Sequence, residues 1–491
     1  MKKSNYSGRI RMSAAVAHRL HSHHLAVGKN TESCSYVLGH AHRDEHGDLT
    51  IVLADPEAVL LFSDDCFVTR QPGFVMLDQQ VKAQVFLRAV QEGYSAVVDV
   101  HDHHFTDVAW FSGTDDKDDK ATACWVNDIV RTFVPSGHSL FAAAMLISRG
   151  TWAARWVPDS RTGCFANLRV DFVGERFEPL SELPHKSDDP TLARHDGLIT
   201  PLQRAAMQQA RIAIVGAGGT GSIAFEDVLR LGFGDVTLID ADRVEASNLN
   251  RLQGVSANDV GRLKVEALAE HARRIRPDAS IQTMAVSVDH PDVQAALKQA
   301  DVILGCVDNG ETRWWLNRFC VQYMIPWFDC GVDLHVGPPV LQEIRTSAIL
   351  PGATACGHCC KVAFNPRRRP DGFLDSETLA AQRKAGYLAD EPEGASPSAY
   401  PLNQFAVSAM IRELLNWYCG WFPIGVSSYW NSTRMTIDRL DPTVTGIVPM
   451  PECPVCGHLL GGCDSFDLPV RAAKVDLIDV ARMLADSEVA K

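Results

Sequence analysis

Three groups of residues have the types and spacing that chemistry needs. Cys356-Gly357-His358-Cys359 and Cys453-Pro454-Val455-Cys456 are both Cys-x-x-Cys pairs. Either alone would suit a redox couple; together they offer four thiolates, the ligand number of a closed structural zinc site. Upstream, His101 and His103 flank a single residue in His101-Asp102-His103-His104. Residues two apart on a strand share a face, so both imidazoles can converge on one metal. Asp115, closing Ser112-Gly113-Thr114-Asp115 near a helix start, is a third ligand. Two imidazoles and one carboxylate leave zinc's fourth position for water, the arrangement of a catalytic site. A carboxylate base must still move that water's proton, and Glu32, opening the strand-like segment 32–39, is the candidate. The third group is Gly216-Ala217-Gly218-Gly219-Thr220-Gly221, between an apolar strand and a helix, with Asp240 ending the next strand. Such a loop brings backbone amides to a phosphate at a helix N-terminus, and the acid suits ribose hydroxyls.

The elements that must position these groups are readable in part. Strand-like runs occur at Tyr36–Leu38, Thr50–Leu53 and Ala96–Val100, with helical patterns at Gln79–Gln91 and Lys120–Phe133. They describe an α+β domain over residues 1–174. Residues 175–193 are polar and proline-punctuated, a linker. A helix Pro201–Gln209, a strand Ile212–Val215, a helix Ile223–Leu231 and a strand Val236–Ile239 follow. This order is a βαβ unit, and it implies a parallel sheet with a right-handed crossover. Val302–Cys306 and Trp327–Cys330 read as further buried strands. The second domain spans 194–466, with a mobile crossover segment over 361–401, and a helical tail closes the chain at 467–491, centred on Val475–Leu484. The fold class is α/β, with a Rossmann-like second domain.

Composition bounds the setting. The 491 residues are 46% hydrophobic and 22% charged, ordinary for a folded chain. A net charge of -13 removes the simplest driving force for nucleic-acid binding, and no nucleic acid is expected as partner. The start MKKSNYSGRIRMS has no apolar run behind its lysines, and no segment approaches the length of a membrane span. Fourteen cysteines without an export signal read as thiols and metal ligands, so a cytoplasmic enzyme is expected. His21, His23 and His24 lie at helical or loop spacing with no nearby carboxylate and are expected to face solvent.

The glycine loop and Asp240 alone suit a nicotinamide or flavin dehydrogenase. The charged residues that follow, Asp242, Arg243, Glu245, Arg251, Lys264, Asp308 and Arg313, suit a triphosphate with Mg²⁺ better than a hydride. This pattern resembles the adenylating E1/ThiF/MoeB family, which activates the C-terminal carboxylate of ubiquitin-like proteins. The resemblance runs from about Arg194 to Cys456. It implies that Gly216, Gly218, Gly219 and Gly221 line the nucleotide loop, that Asp240 takes the ribose, and that Asn248, Arg251 and Lys264 hold the phosphates. It also implies Asp308 for Mg²⁺, Arg194 as an arginine finger toward a partner subunit, a structural zinc held by four cysteines, ATP as substrate and a homodimer. Leu252 departs from the pattern, since many members carry glutamine there; Gln253 sits one later.

Glu32, then His-x-His, then Ser-x-x-Asp resembles the JAMM/MPN+ (JAB) metalloproteases, which cleave after the terminal glycine of ubiquitin-like proteins. By this resemblance His101, His103 and Asp115 hold a catalytic zinc, Glu32 is the base, and Ser112 helps stabilise the oxyanion. His104 stands where the motif has proline, and eight residues rather than seven separate His103 from Ser112. The two resemblances together imply a fusion acting on one feature, the carboxyl end of a ubiquitin-like or sulfur-carrier protein ending in Gly-Gly or a single Gly, with an E2-like protein as a further partner. A bacterial ubiquitin-like modification system, antiphage in some cases, is the implied setting. Activation of a sulfur carrier for thiamine, molybdopterin or cysteine synthesis, an NAD(P)-dependent oxidoreductase and a non-enzymatic binding module stay open. A thioester would need a nucleophilic cysteine. Residues 365–401 contain none, while Cys360, Cys306 and Cys330 sit beside the metal pair or in apolar strands, so none is assigned.

Overall fold

Alternation of apolar residues along strand Ala96–Asp102 sets the architecture of the first half of the chain. Ala96, Val98 and Val100 join one buried cluster, while Val97 joins another on the opposite face. The computed structural model describes residues 6–26, 30–134, 138–181, 189–335, 341–360, 362, 397–424, 427–431, 436–440, 448–450 and 452–464. The chain forms two compact units. One comprises Met1–Val173, Glu178–Glu182 and Gly461–Lys491, the other Gly174–Phe177 and Leu183–Leu460. The stretch read as a simple linker is therefore shared between them. The tail helix expected at Val475–Leu484 and most of the crossover segment lie outside the described residues.

The first unit runs β1 (Gly8–Ser13), α1 (Ala14–His24), β2 (Cys34–Arg43), β3 (Leu49–Leu53), β4 (Val59–Leu61), the hairpin β5–β6 (Phe67–Gln71, Phe74–Leu77), α2 (Gln79–Glu92), β7 (Ala96–Asp102), α3 (Gly113–Phe133), β8 (Phe141–Ile147), β9 (Trp152–Trp156) and β10 (Ala166–Val173). Its main sheet has the order β3-β1-β10-β9-β8-β7-β2-β4, with β3 also pairing β2. One face packs on α1 through Val16 and Leu20, the other on α2 and α3 through Phe86, Trp125 and Ile129. Helix α3 starts seven residues before the expected Lys120, because Ser112 and Asp115 form a capping box that nucleates the earlier turn.

In the second unit, α4 (Pro201–Gln209) precedes β11 (Arg211–Val215), α5 (Gly219–Leu231), β12 (Asp235–Ile239), α6 (Lys264–Ile275), β13 (Ser280–Met284), α7 (Pro291–Gln299), β14 (Val302–Gly305), α8 (Gly310–Gln322), β15 (Trp327–His335), β16 (Leu341–Ile349), α9 (Tyr400–Cys419), β17 (Ser427–Asn431) and β18 (Thr436–Leu440). The sheet order is β13-β12-β11-β14-β15-β16-β17-β18. Strands β11 to β15 pair in parallel and β15 to β18 antiparallel. The strand order reverses at β11 and β14, and the crevice at the carboxyl ends of such strands is where α/β sheets take ligands. Helix α9 begins at Tyr400, so the last two residues assigned to the crossover segment are helical. Among the described residues no helix is long and apolar enough to cross a membrane.

Candidate functional site

The glycine loop leaves β11 at that reversal point. Gly216 has a φ of 95°, and a Cβ on Gly221 would overlap the Gly216 carbonyl, so both positions need glycine. Gly218, the N-cap of α5, carries no side-chain cap, and nothing lies within 4 Å of a Cβ built on it. Space is therefore left beside Gly218 at the helix start, where an anion can approach, while Gly219 next to it is crowded by Asn403 and Arg251. Asp240 Oδ2 accepts from the Ala217 N–H at 2.7 Å and Oδ1 from the Asp242 N–H at 2.8 Å. The carboxylate therefore braces the loop as well as facing it. Lys264 Nζ lies 2.7 Å from Asp242 Oδ2 and 3.9 Å from Asp240 Oδ1. Arg251 runs its stem along Gly219 and donates from Nη1 to the Ser247 carbonyl at 2.7 Å. Asn248 is buried and accepts from the Glu245 N–H, capping the turn that presents Arg251. Asp308 is exposed, one residue after Val307, whose Cγ1 lies 3.2 Å from a Cβ built on Gly216.

Arg194 and Arg313 lie apart from the loop. Arg194 is exposed on a short turn whose Leu192 packs against Gly232, the C-cap of α5. Helix α5 has 13 residues, about 20 Å at 1.5 Å per residue, so Arg194 stands at the far end from the glycine loop. Arg313 is no phosphate ligand: it pairs with the fully buried Asp329 at 3.1 Å and donates to the Cys330 carbonyl at 3.1 Å. Leu252 is buried with Val244 and Ala267, so this position takes an apolar side chain. Gln253 instead accepts from Tyr400 Oη at the start of α9 and donates its N–H to Ser222 Oγ.

The four cysteines of the two pairs converge. Sulfur separations are 3.8 Å for Cys356–Cys359, 3.6 Å for Cys356–Cys453 and 3.7 Å for Cys359–Cys456. Four sulfurs at about 2.3 Å from one zinc stand about 3.8 Å apart, so the donor set fits zinc. Backbone amides of Met450 and Val455 point at Cys359 and Cys453, and Asn317 Nδ2 lies 3.9 Å from Cys356 Sγ. These donors favour thiolates. Cys360 and Cys306 are poor nucleophiles. Burial and the neighbouring Cys356 push Cys360 up to about 12, and a hydrogen bond to Cys330 together with burial raises Cys306.

In the first unit the β2–β7 register builds a second cluster. Cys34 pairs with His101, so continuing the antiparallel count sets Ser33 opposite Asp102 and Glu32 opposite His103. Glu32, Cys34, His101 and His103 then share the α3 face. His103 Nε2 lies 3.9 Å from Glu32 Oε1, and His101 Nε2 3.5 Å from Asp115 Oδ1. The ligand atoms of His101, His103 and Asp115 lie within 4.8 Å of one another, and His101 Nε2 is buried without a hydrogen-bond partner. An orphaned buried nitrogen facing a carboxylate fits a metal ligand. The capping box aims the acid: the Ser112 N–H holds Asp115 Oδ2 at 2.6 Å, leaving Oδ1 toward His101. Burial pushes the His101 imidazole down, but Asp115 overrides it and raises it to about 9. Ser112 Oγ accepts from the Asp115 N–H at 3.3 Å.

His24 corrects the solvent-facing expectation. It is fully buried on α1, with Nδ1 2.9 Å from Asp102 Oδ2 and Nε2 2.8 Å from Ser35 Oγ. A signal existed in the sequence, since Val16, Leu20 and His24 recur every four residues and form the buried stripe of α1. The partner carboxylate could not be seen, because Asp102 lies 78 residues away.

Comparison with known proteins matches residues 192–454 to the model of the ThiF family. Ubiquitin-like modifier-activating enzyme 5 of Drosophila willistoni is 35% identical over 165 residues, 31% of this chain and 39% of the relative. The Aedes aegypti enzyme of the same name is 33% identical over 175 residues, 33% of this chain and 42% of the relative. The chain thus spans about two fifths of the curated relatives it matches. Among solved structures, E. coli MccB with ATP aligns at a TM-score of 0.43 and 19% identity, covering 56% of this chain and 76% of that one. PaaA aligns at 0.41 and 16%, covering 54% and 88%.

Proposed function

The chain belongs to the ThiF family, and from that premise we propose that its second unit adenylates the C-terminal carboxylate of a ubiquitin-like protein ending in Gly-Gly or a single Gly. The carrying observation is the open helix start at Gly218, with Lys264, Arg251 and the Asp240-braced loop around it. In this reading a carrier carboxylate oxygen attacks the α-phosphorus of ATP, pyrophosphate leaves, and an acyl-adenylate forms. Amides of the α5 start, Asn248, Arg251 and Lys264 hold the phosphates, and their positive charge stabilises the leaving pyrophosphate. Asp240 takes the ribose. Asp308 would hold Mg²⁺, which offsets phosphate charge when bound. Arg194 serves the active site of a second copy in a homodimer, which accounts for its place beyond the far end of α5. Zinc held by Cys356, Cys359, Cys453 and Cys456 would be structural. Relatives named for activating a ubiquitin-like modifier support this substrate class over a sulfur carrier. The test is ATP–pyrophosphate exchange in zinc-replete protein with Gly-Gly-ending carriers. Carrier-dependent exchange lost in Asp308→Ala supports the reading, and no exchange with any carrier overturns it.

For the first unit we infer a zinc peptidase or isopeptidase acting on that same terminus. The convergence of His101, His103 and Asp115, with Glu32 beside them, carries this reading. Zinc held there would polarise the scissile carbonyl and acidify water. Glu32 takes the water's proton and passes it to the leaving amine, and Ser112 faces the oxyanion. Cleavage of a carboxy-extended carrier should vanish in Glu32→Gln while the zinc stays bound; full cleavage by that variant rejects the assignment.

A further inference from the structure

Glu32 and Ser33 precede Cys34, the first ladder residue of β2. Ser33 is held from the other face of the sheet. Asp102, between the two metal-binding histidines, turns away from them and is completely buried. Its Oδ2 accepts from the Ser33 N–H at 3.0 Å, from Ser33 Oγ at 2.9 Å and from His24 Nδ1 at 2.9 Å. Its Oδ1 lies 2.7 Å from His104 Nδ1. One carboxylate thus binds the residue after Glu32 on one strand and the residue after His103 on the other. His24 is fixed in turn by Ser35 Oγ at 2.8 Å. Arg70 Nε adds a bond to the Glu32 carbonyl at 3.2 Å. A buried carboxylate is costly, and a closed set of donors around one is kept where it fixes geometry.

We propose that Asp102 and His24 are positioning residues, a clamp behind the sheet that sets the distance between Glu32 and the His101–His103–Asp115 cluster. His104 belongs to the same clamp: its bond to Asp102 restrains the loop that leaves β7. This rests on the peptidase reading of the first unit. The clamp's side chains supply no ligand atom to the cluster. Loss of the clamp therefore moves the base without removing a ligand, and a displacement of about 1 Å is enough to cost about 10²-fold in rate.

The experiment uses the full chain with Co²⁺ as probe, and the spectrum of His101→Ala is subtracted to isolate this site. Asp102→Asn should bind Co²⁺ as the wild type does and reproduce the visible-spectrum change of Glu32→Gln. On a carboxy-extended carrier its kcat should fall about 10²-fold with KM little changed. His24→Ala should show a smaller loss in the same direction, restored by added imidazole. A wild-type spectrum and kcat in Asp102→Asn overturn the clamp and leave the peptidase reading standing. Loss of Co²⁺ from Asp102→Asn but not from Glu32→Gln makes Asp102 a scaffold residue and also overturns it. If Asp102→Asn does not fold, Ser33→Ala, which removes one of the three Oδ2 donors, carries the same comparison. No Co²⁺ bound by the wild type refutes the peptidase reading, and the clamp with it.

Discussion

Asp329 on β15 stands between two guanidinium groups with no exposed surface of its own. Arg313 Nε lies 3.1 Å from Oδ2 and Arg345 Nη2 3.2 Å from the same oxygen; their side chains are 11% and 28% exposed. Asp329→Asn keeps the shape but leaves two cations facing an amide. Removing one partner of a buried pair costs about 3–5 kcal/mol. That corresponds to a loss of about 10²–10⁴-fold in the hydrogen-exchange protection of β15, Trp327–His335. The count of charges makes a second demand. Arg345→Met removes the more exposed cation and leaves one anion facing one cation, so it should cost about 1 kcal/mol or less. The consequence reaches the nucleotide loop, because Arg313 also donates to the carbonyl of Val307, the residue before Asp308. Asp329→Asn should therefore lower ATP–pyrophosphate exchange along with protection. The assay is exchange mass spectrometry on peptides covering β15 in wild type and both variants. Protection in Asp329→Asn within about tenfold of wild type, or an equal loss in Arg345→Met, would refute the argument.

Three further outcomes are expected. Lys264→Ala should lower carrier-dependent ATP–pyrophosphate exchange by about 10²-fold, the scale of one lost electrostatic donor, while leaving the melting temperature of the chain unchanged; rate assays and calorimetry check both halves. Chelation, or Cys453→Ser, should release one zinc and destabilise the second unit. The bridged residues are 97 apart in sequence, so opening a closure of that length costs on the order of 4–5 kcal/mol by chain entropy, read as a fall in melting temperature. Burial lowers His40 from 6.5 to about 4, so the unfolded chain binds the extra proton between those values. Its stabilising effect is present above pH 6.5 and is lost as pH falls through about 4, by at most about 3 kcal/mol. Urea titrations at several pH values should show a shallower acid loss in His40→Gln than in wild type.

What could be read ahead of the structure was local. The glycine loop, the two Cys-x-x-Cys pairs and His101-x-His103 are spacing patterns within one turn or strand, and each folds as its spacing demands. The start of α3 was missed because the Ser112–Asp115 capping box rather than an apolar period sets it, and that of α5 because its first turn is glycine-rich, with no apolar period to read. Residues whose meaning lies in a distant partner were misread. Arg313 looked like a phosphate ligand until Asp329 appeared on the neighbouring strand, and His24 looked like surface until Asp102 did. Gln253 finds its partner, Tyr400, 147 residues on. Periodicity carries no information about such pairings, which only sheet register and helix docking create.

The two-sided character of β7 bears on how this chain could have varied in length. Adding or deleting one residue within Ala96–Asp102 would exchange the faces, sending the His101 imidazole toward α1 and the Asp102 carboxylate toward α3. The strand is therefore closed to insertion. The segment from His104 to Phe111 carries no ladder, and the Ser112–Asp115 box resets the geometry wherever that segment ends. The eight residues between His103 and Ser112 are held instead by single hydrogen bonds to the turn after β8, such as Ser148 Oγ to the Asp107 carbonyl at 3.0 Å and the Ala109 N–H to Thr151 Oγ1 at 2.9 Å, so a change of length there leaves the β7 register intact.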